Sequence, residues 1–214
     1  MRNDLTDLTL VVDRSGSMCT IRADAEGGIN ALLDDQKKEP GDCNLTLVQF
    51  DNEYEFVHKG IDISEAAHYS LHPRGATALL DAVGQAINAT GRRLDEMKEE
   101  DRPSLVAFVI TTDGHENCSR EFTSAQIRKM ISHQQSEYNW KFTYLGADAD
   151  CFDEAESMGI DASGTAQYNV ARSAQMFNAT SQKMSRMRTV ASCGINPDNS
   201  YTKDELKEMS DDSE

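Results

Sequence analysis

The order of the apolar segments constrains the fold of this chain more than any other feature. Short apolar runs at residues 8–12, 44–50, 105–110 and 142–145 have the length and composition of strands. Between them lie longer stretches in which apolar residues recur every three or four positions, as in amphipathic helices. This alternation predicts an α/β architecture, an open and mostly parallel sheet with helices on both faces.

Local signals refine this prediction. The helical stretch that begins near Ile21 contains Gly27 and Gly28, which are costly in a helix and indicate close packing on the sheet. A turn at residues 51–52 followed by a second apolar run at 54–58 predicts a hairpin, and therefore one antiparallel edge strand. Thr123 and Gln126 have the spacing of a capping box. A last strand is predicted at 167–170 and a final helix at 174–187.

Charge and composition exclude several classes of partner. The chain has 21 Lys and Arg against 37 Asp and Glu, a formal net charge of −16, and lacks a basic run, so nucleic acid and anionic membranes are not expected partners. Its longest apolar runs are far shorter than the roughly 20 residues that span a bilayer, and its first residues lack a signal-peptide pattern. Five scattered cysteines are typical of free thiols. We therefore expect a cytoplasmic protein.

The composition changes near residue 196. Residues 203–214 contain six acidic residues, two lysines and a single leucine, too few apolar side chains to form a core of their own. The predicted organisation is a domain at residues 1–195 followed by an acidic, flexible tail at residues 196–214.

Polar side chains follow the predicted strands at three places. Asp13, Ser15 and Ser17 come directly after the first strand, Thr77 precedes the long helix, and Asp113 follows the strand at 105–110. Ligands of open α/β sheets bind at the carboxyl ends of strands, so we expect these side chains to converge. Carboxylate and hydroxyl oxygens are suitable ligands for Mg²⁺, whereas the set has no His or Cys for zinc or softer metals.

The charges of this set indicate a function. Asp13 and Asp113 formally balance a dication. If both act through water and the three hydroxyls bind directly, the cation keeps most of its Lewis acidity and an open coordination position. A carboxylate from another protein fills such a position best, so the set predicts a receptor for a Glu or Asp side chain.

The segments at residues 11–18 and 112–117 resemble the metal-ion-dependent adhesion site of von Willebrand factor A domains, a module of integrins and many bacterial proteins. The family pattern is D-x-S-x-S after the first strand, a Thr before the third helix and an Asp after the fourth strand. Five residues of this chain match it one by one: Asp13, Ser15, Ser17, Thr77 and Asp113. The likeness extends over about residues 5–190 and is greatest to stand-alone bacterial or phage members.

The resemblance implies a doubly wound sheet of about six strands, a metal at its carboxyl end, and binding without catalysis. The implied cation is Mg²⁺, with Mn²⁺ or Ca²⁺ as alternatives, and the domain is expected to be a monomer on its own. Two kinds of acidic partner remain open, an AAA+ ATPase in the cytoplasm and a virion component.

Alternative interpretations remain for the individual residues. The main functional rival is a metal-dependent phosphohydrolase with Asp13 as nucleophile, although such enzymes need a second Asp where this chain has Ser15. Structurally, Asp13 and Ser15 are suited to cap the first helix, Thr77 to cap the long helix, and Asp113 to form a plain turn.

Several neighbours of the site are also candidates. Arg14 is expected to be exposed, where it either draws in an acidic partner or is simply solvated. Residues 115–117 are expected at the rim, either touching the partner or forming loop surface.

Overall fold

Six strands form one mixed sheet in the computed structural model, which describes residues 1–147, 150–167 and 173–209. The strands are β1 (Arg2–Asp13), β2 (Asp42–Phe50), β3 (Tyr54–Asp62), β4 (Pro103–Thr112), β5 (Lys141–Gly146) and β6 (Thr165–Gln167). Their order is β3-β2-β1-β4-β5-β6, and β3 is antiparallel to its neighbour while the other pairings are parallel. The predicted α/β fold with one antiparallel edge is confirmed.

Helices cover both faces of this sheet. They are α1 (Arg22–Gln36), α2 (Leu79–Asp95), α3 (Ser124–Tyr138), α4 (Cys151–Ser157), α5 (Ser173–Ser192) and α6 (Lys203–Met209). Alternate side chains of β1 enter two separate cores, because successive residues of a strand point to opposite faces. Leu10 packs in the core that contains α1 and α5, and Val11 in the core that contains α2, α3 and α4. Among the described residues, no helix has the length and apolar character that would let it cross a membrane.

The winding of the chain creates a switch point between β1 and β4. From β1 the chain passes outward to β2 and β3, then returns to β4 on the other side of β1 and continues to β5 and β6. The register aligns the strand ends, with Asp13 beside Phe50 of β2, and Val12 beside Thr111 of β4. Loops after β1 and β4 therefore start next to each other, where ligands of open α/β sheets bind.

Residues 63–78 form a strap that runs along α1 back to the carboxyl end of the sheet. Lys37 near the end of α1 donates to the carbonyl of Ala66 at 3.0 Å. Asn30 in mid-helix both donates to the Tyr69 carbonyl and accepts from its N–H, each at 2.8 Å. These hydrogen bonds satisfy backbone groups that a segment outside helices and strands would otherwise leave unpaired. They hold the strap in a path that places Thr77 at the switch point.

The structure confirms some of the local predictions and corrects others. The capping box of Thr123 and Gln126 is confirmed at the start of α3. The predicted close packing of Gly27 and Gly28 on the sheet is wrong in its partner: a Cβ at Gly28 would collide with Phe177 of α5. Gly27 has open space around it. The last described strand is β6 at Thr165–Gln167, and predicted strand residues 168–170 lie outside the described residues.

The segment 196–209 differs from the predicted flexible tail. Tyr201 and Met209 are buried in the core beside α5. The Asn199 amide donates to the Phe142 carbonyl of β5 at 2.6 Å. Phe142 precedes the residues of β5 that pair with β6, so the segment covers a part of the strand edge that β6 leaves open. Residues 210–214 lie outside the described residues.

Candidate metal centre

Four of the five predicted site residues meet at the switch point. The hydroxyl oxygens of Ser15 and Ser17 lie 3.0 Å apart, and the Ser17 hydroxyl donates to Asp113 Oδ1 at 2.6 Å. The Thr77 hydroxyl lies beside them, 3.4 Å from where a Cβ on Gly114 would stand. Three loops distant in sequence thus bring hydroxyl and carboxylate oxygens together, as the strand-end positions predict.

Gly114 marks the centre of this group. A Cβ on Gly114 would stand 3.3 Å from the Ser17 hydroxyl, 3.4 Å from the Thr77 hydroxyl and 4.0 Å from the Ser15 hydroxyl. The absence of a side chain at this position keeps space open beside the three oxygens. The arrangement therefore fits a small cation bound mainly by hydroxyl oxygens and water.

Asp13 lies behind the hydroxyls and has no exposed surface. One carboxylate oxygen accepts from the Ser15 N–H at 2.6 Å and the other from the Thr112 hydroxyl at 2.5 Å. Burial, with a smaller contribution from the negative charge of Asp113, raises the pKa of Asp13 to about 6 despite the lowering effect of these hydrogen bonds. A dication nearby would favour the ionised form of Asp13.

The predicted donor set can be compared with the ligands that different cations prefer. Within the described part of the chain, no three His, Cys, Asp or Glu side chains group together as metal ligands. The predicted set contains only two carboxylates, so it relies on three hydroxyls and solvent. Such a donor set suits Mg²⁺ or Mn²⁺ and is unsuited to zinc.

Thr77 is held by the loop that follows β4. Its N–H donates to the Asn117 side-chain oxygen and its carbonyl accepts from the Asn117 N–H, both at 3.0 Å. Helix α2 begins at Leu79 with Ala78 as its N-cap, so the alternative reading of Thr77 as the helix cap is wrong. Ser15 likewise makes no side-chain capping bond, although Asp13 does stabilise the local turn.

The acidic side chain of Glu116 organises the same loop. One of its oxygens accepts from the N–H groups of Cys118 and Ser119, and the other from the N–H of Leu80 at the start of α2. Glu116 and Asn117 thus hold the loop together, and the predicted contact of residues 115–117 with a partner stays a prediction. His115 is exposed.

Asp81 is a residue of this end of the sheet that the sequence patterns do not single out. Its carboxylate accepts from the backbone N–H groups of Arg120, Glu121 and Phe122 at 2.8, 2.9 and 2.9 Å. The available signal is weak, since an acid in the first turn of a helix is a common feature. Its partners arrive from about 40 residues further along the chain.

The prediction that Arg14 is exposed is wrong. Arg14 is buried, and its guanidinium donates to Asp51 at 2.9 Å and to Glu55 at 2.9 Å. Asp51 also accepts from Arg74 at 2.6 Å. Burial acts to raise the pKa of Asp51, but the hydrogen bond from Arg74, with other donors and both positive charges, lowers it overall.

Arg74 takes the position expected for Arg14. Its side chain is 63% exposed, and its backbone N–H donates to the Arg14 carbonyl at 2.7 Å. The next residue, Gly75, accepts from the Gly16 N–H at 3.1 Å, between the two serines of the site. The exposed guanidinium at the rim therefore belongs to the strap and not to the loop after β1.

No protein-family model and no curated protein matches the chain. Solved structures do match it. Proximal thread matrix protein 1 from the mussel byssus aligns with a TM-score of 0.60 and 13% identity, over 83% of this chain and 45% of that one. A von Willebrand factor type A protein from Catenulispora acidiphila aligns with a TM-score of 0.57 and 17% identity, over 85% and 43%.

A third match is the manganese-loaded TRAP protein of Plasmodium vivax, with a TM-score of 0.55 and 15% identity, over 81% of this chain and 72% of that one. The chain spans less than half the length of the first two of these proteins. At these identities the likeness concerns the fold, and it agrees with the strand order and the antiparallel edge described above. The chain therefore has the fold of von Willebrand factor A domains.

Proposed function

We propose that this chain is a non-enzymatic protein-interaction domain that binds a divalent cation and, through it, an acidic side chain of a partner. The cation is Mg²⁺, with Mn²⁺ and Ca²⁺ as alternatives, and its site comprises Asp13, Ser15, Ser17, Thr77 and Asp113. The observation that carries the proposal is the convergence of three hydroxyls and the Asp113 carboxylate around Gly114.

The residues divide into two roles. Ser15, Ser17 and Thr77 offer neutral oxygens directly to the cation, with Asp113 beside them. Asp13 already accepts from the Ser15 N–H and the Thr112 hydroxyl, so it acts from behind through water. Neutral ligands leave the bound cation with much of its charge, which is what a carboxylate of a partner would bind. The manganese-loaded structure among the matches supports a divalent metal.

The burial of Asp13 supports binding over catalysis. A phosphohydrolase would need this carboxylate to reach a phosphorus atom. Asp13 has no exposed surface, and both of its oxygens accept short hydrogen bonds from the protein. A carboxylate without exposed surface cannot reach a substrate phosphorus unless the loops move, so we favour the interaction domain over the phosphohydrolase.

The partner is expected to be acidic at its contact point despite the net charge of −16 on this chain. Arg74 offers an exposed guanidinium at the rim, which reduces the local repulsion. An AAA+ ATPase and a virion component both remain candidates. Pull-downs with and without EDTA, and analysis of purified particles, distinguish them.

Calorimetry of metal-stripped protein with Mg²⁺ and Mn²⁺ tests the proposal. We expect saturable one-site binding that Ser17→Ala weakens at least about tenfold. Ser136→Ala, an exposed serine on α3, makes the same chemical change away from the site and should bind like the wild type. Absence of saturable binding by the wild type, or equal binding by both variants, would contradict the proposed site.

A further inference from the structure

Arg74 holds a guanidinium group in a defined position at the rim of the candidate metal centre. Its Nε donates to Asp51 Oδ2 at 2.6 Å. The Asp51 side chain is only 4% exposed, and it also accepts from Arg14 and from the backbone N–H of Glu53. The inner end of the Arg74 guanidinium is therefore bound to a buried carboxylate that other groups hold in place.

The outer end of this guanidinium has unused hydrogen-bonding capacity. Among the residues that the structure describes, the two terminal nitrogens of Arg74 have neither a hydrogen-bond acceptor nor an ion-pair partner. Glu55, the other acid of this cluster, accepts from Arg14 and Gln49. A guanidinium presents its donors in a planar fork that matches the two oxygens of a carboxylate. Because Asp51 already orients this fork, less side-chain entropy is lost when a carboxylate binds it.

The backbone next to Arg74 connects it to the metal centre. The Gly75 carbonyl accepts from the Gly16 N–H at 3.1 Å, and Gly16 separates the two serines of the site. Both glycines are exposed and carry no side chain, so the path from the hydroxyls to the guanidinium is low. At Gly75, φ is +71° and a Cβ would collide with the Asn52 side-chain oxygen, so a larger residue would be strained there. A partner chain that lies across this surface can reach both groups.

The distance between the two groups limits the spacing of the partner's acids. Thr77 follows Arg74 by three residues, and three residues of extended chain span at most about 10 Å. In an extended peptide, side chains two positions apart lie on the same face, about 7 Å from each other, whereas adjacent side chains point to opposite faces. The flexible arms of Arg and Glu side chains cover the remaining distance.

We propose that the partner presents two acidic side chains at positions i and i+2 of an extended segment, one bound to the cation and the other to the terminal nitrogens of Arg74. This inference rests on the proposed function and narrows its partner class from a single carboxylate to an acid-x-acid motif. Arg74 is then the residue that selects such partners, since a cation alone binds any accessible carboxylate.

Two isomeric peptides with the same charge test this spacing. Labelled peptides that contain Ser-Glu-Ser-Glu-Ser or Ser-Glu-Glu-Ser-Ser between flexible glycine–serine ends are titrated with the protein at saturating Mg²⁺, and fluorescence anisotropy gives their affinities. A third peptide, with Ser-Glu-Ser-Gln-Ser, carries one acid. We expect the peptide with spaced acids to bind about threefold or more tightly than either of the others.

Substitutions of two arginines locate the effect. Arg74→Gln should remove the advantage of the peptide with spaced acids, and Arg74→Lys, which keeps the charge without the fork, should retain only part of it. Arg120→Gln is the matched control, because it removes the same charge from an exposed residue of the loop after β4, and it should keep the full advantage.

The outcomes separate this inference from the proposed function. EDTA-sensitive binding of all three peptides with equal affinity would support the proposed function and overturn the inference, as would an advantage that Arg74→Gln retains. If the peptide with spaced acids keeps its advantage in EDTA, Arg74 acts without the cation and the simultaneous contact is wrong. If no peptide binds although calorimetry shows bound Mg²⁺, the proposed carboxylate contact fails and the inference fails with it.

Discussion

Two of the regions that bury charged side chains in this domain stabilise them differently. At the carboxyl end of the sheet, Asp51 accepts from two guanidinium groups and a backbone N–H, and Asp81 accepts from three backbone N–H groups. Beneath the segment 196–209, the Lys183 amine donates to the Thr143 hydroxyl at 2.9 Å and lies 3.9 Å from the centre of the Tyr201 ring.

The difference shows what each charge contributes. The buried carboxylates satisfy backbone groups of irregular loops, which would otherwise be left without partners, so these charges help to determine the loop structure. Lys183 has one described hydrogen-bond acceptor for three potential donors. Its burial lowers its pKa to about 7, with only partial compensation from the charge of Glu205. The loop carboxylates should therefore be costly to remove, and the buried amine should not.

The largest expected effect compares the two guanidinium groups that share Asp51. Arg14→Gln removes a buried partner and should lower the free energy of unfolding by about 3 kcal/mol or more. Arg74→Gln removes a partner that is 63% exposed and should cost less than about 1 kcal/mol. Urea unfolding of the two variants measures both values, and equal losses would refute the distinction between them.

Deletion of the Asp81 carboxylate should come next. Asp81→Ala leaves three backbone N–H groups of the loop after β4 without their acceptor, and we expect a loss of about 2–3 kcal/mol. Asp24→Ala removes an exposed acid from the first turn of α1 and controls for the helix dipole, worth about 0.3–1 kcal/mol. Similar losses in the two variants would mean that the loop does not depend on Asp81.

The buried Lys183 amine should make the free energy of unfolding depend on pH. Between pH 7 and 10 the unfolded chain holds the Lys183 proton and the folded chain does not, so this residue makes stability rise with pH. The groups around it are Thr143 on β5, Arg186 on α5, and Asp198, Tyr201 and Glu205 in the C-terminal segment.

Lys183→Met keeps the length of the side chain and removes this titration. The stability of the wild type relative to Lys183→Met should fall as pH is lowered from 10 to 7, by at most about 1.4 kcal/mol per pH unit. Thermal unfolding of both proteins across this range measures the difference. A difference that does not change with pH would mean that Lys183 stays charged in the folded state.

The smallest expected effect concerns Tyr201, whose ring lies beside the Lys183 amine. Tyr201→Phe keeps the ring beside the amine and removes the hydroxyl, which lies 3.0 Å from the Thr180 hydroxyl on α5. We expect a loss of about 1 kcal/mol, measured by urea unfolding. Tyr54→Phe is the control, since Tyr54 is only partly buried and lies on the edge strand β3. A loss well above that of the control supports the packed segment, whereas no difference contradicts it.

The fold and the convergence of the site could be predicted because both follow from local patterns. Alternating apolar runs predict the sheet, and parallel strands bring their carboxyl ends together. Asp13 and Asp113 therefore lie at one edge, and Ser15 and Ser17 follow Asp13 closely along the chain. Thr77 reaches the same edge through the strap at residues 63–78, and its position is predicted through the resemblance. The metal role of these residues stays a prediction.

Other features depend on contacts between distant parts of the chain. Nothing near Arg14 in the sequence indicates that Asp51 and Glu55 surround it, since they arrive 37 and 41 residues later. The partner of Gly28 lies on α5, far away in sequence. The acidic composition of the C-terminal segment gives no sign that Tyr201 and Met209 are buried in the core beside α5.

The contact between Asn199 and β5 has a consequence for self-association. An exposed strand edge is a template on which a second chain can form hydrogen bonds, and it is the usual starting point of fibril growth. Here the Asn199 amide occupies the Phe142 carbonyl where β6 does not reach. A fragment cut before residue 196 would keep the whole sheet but expose that carbonyl, and so convert a protected border into a surface on which copies of the chain can stack.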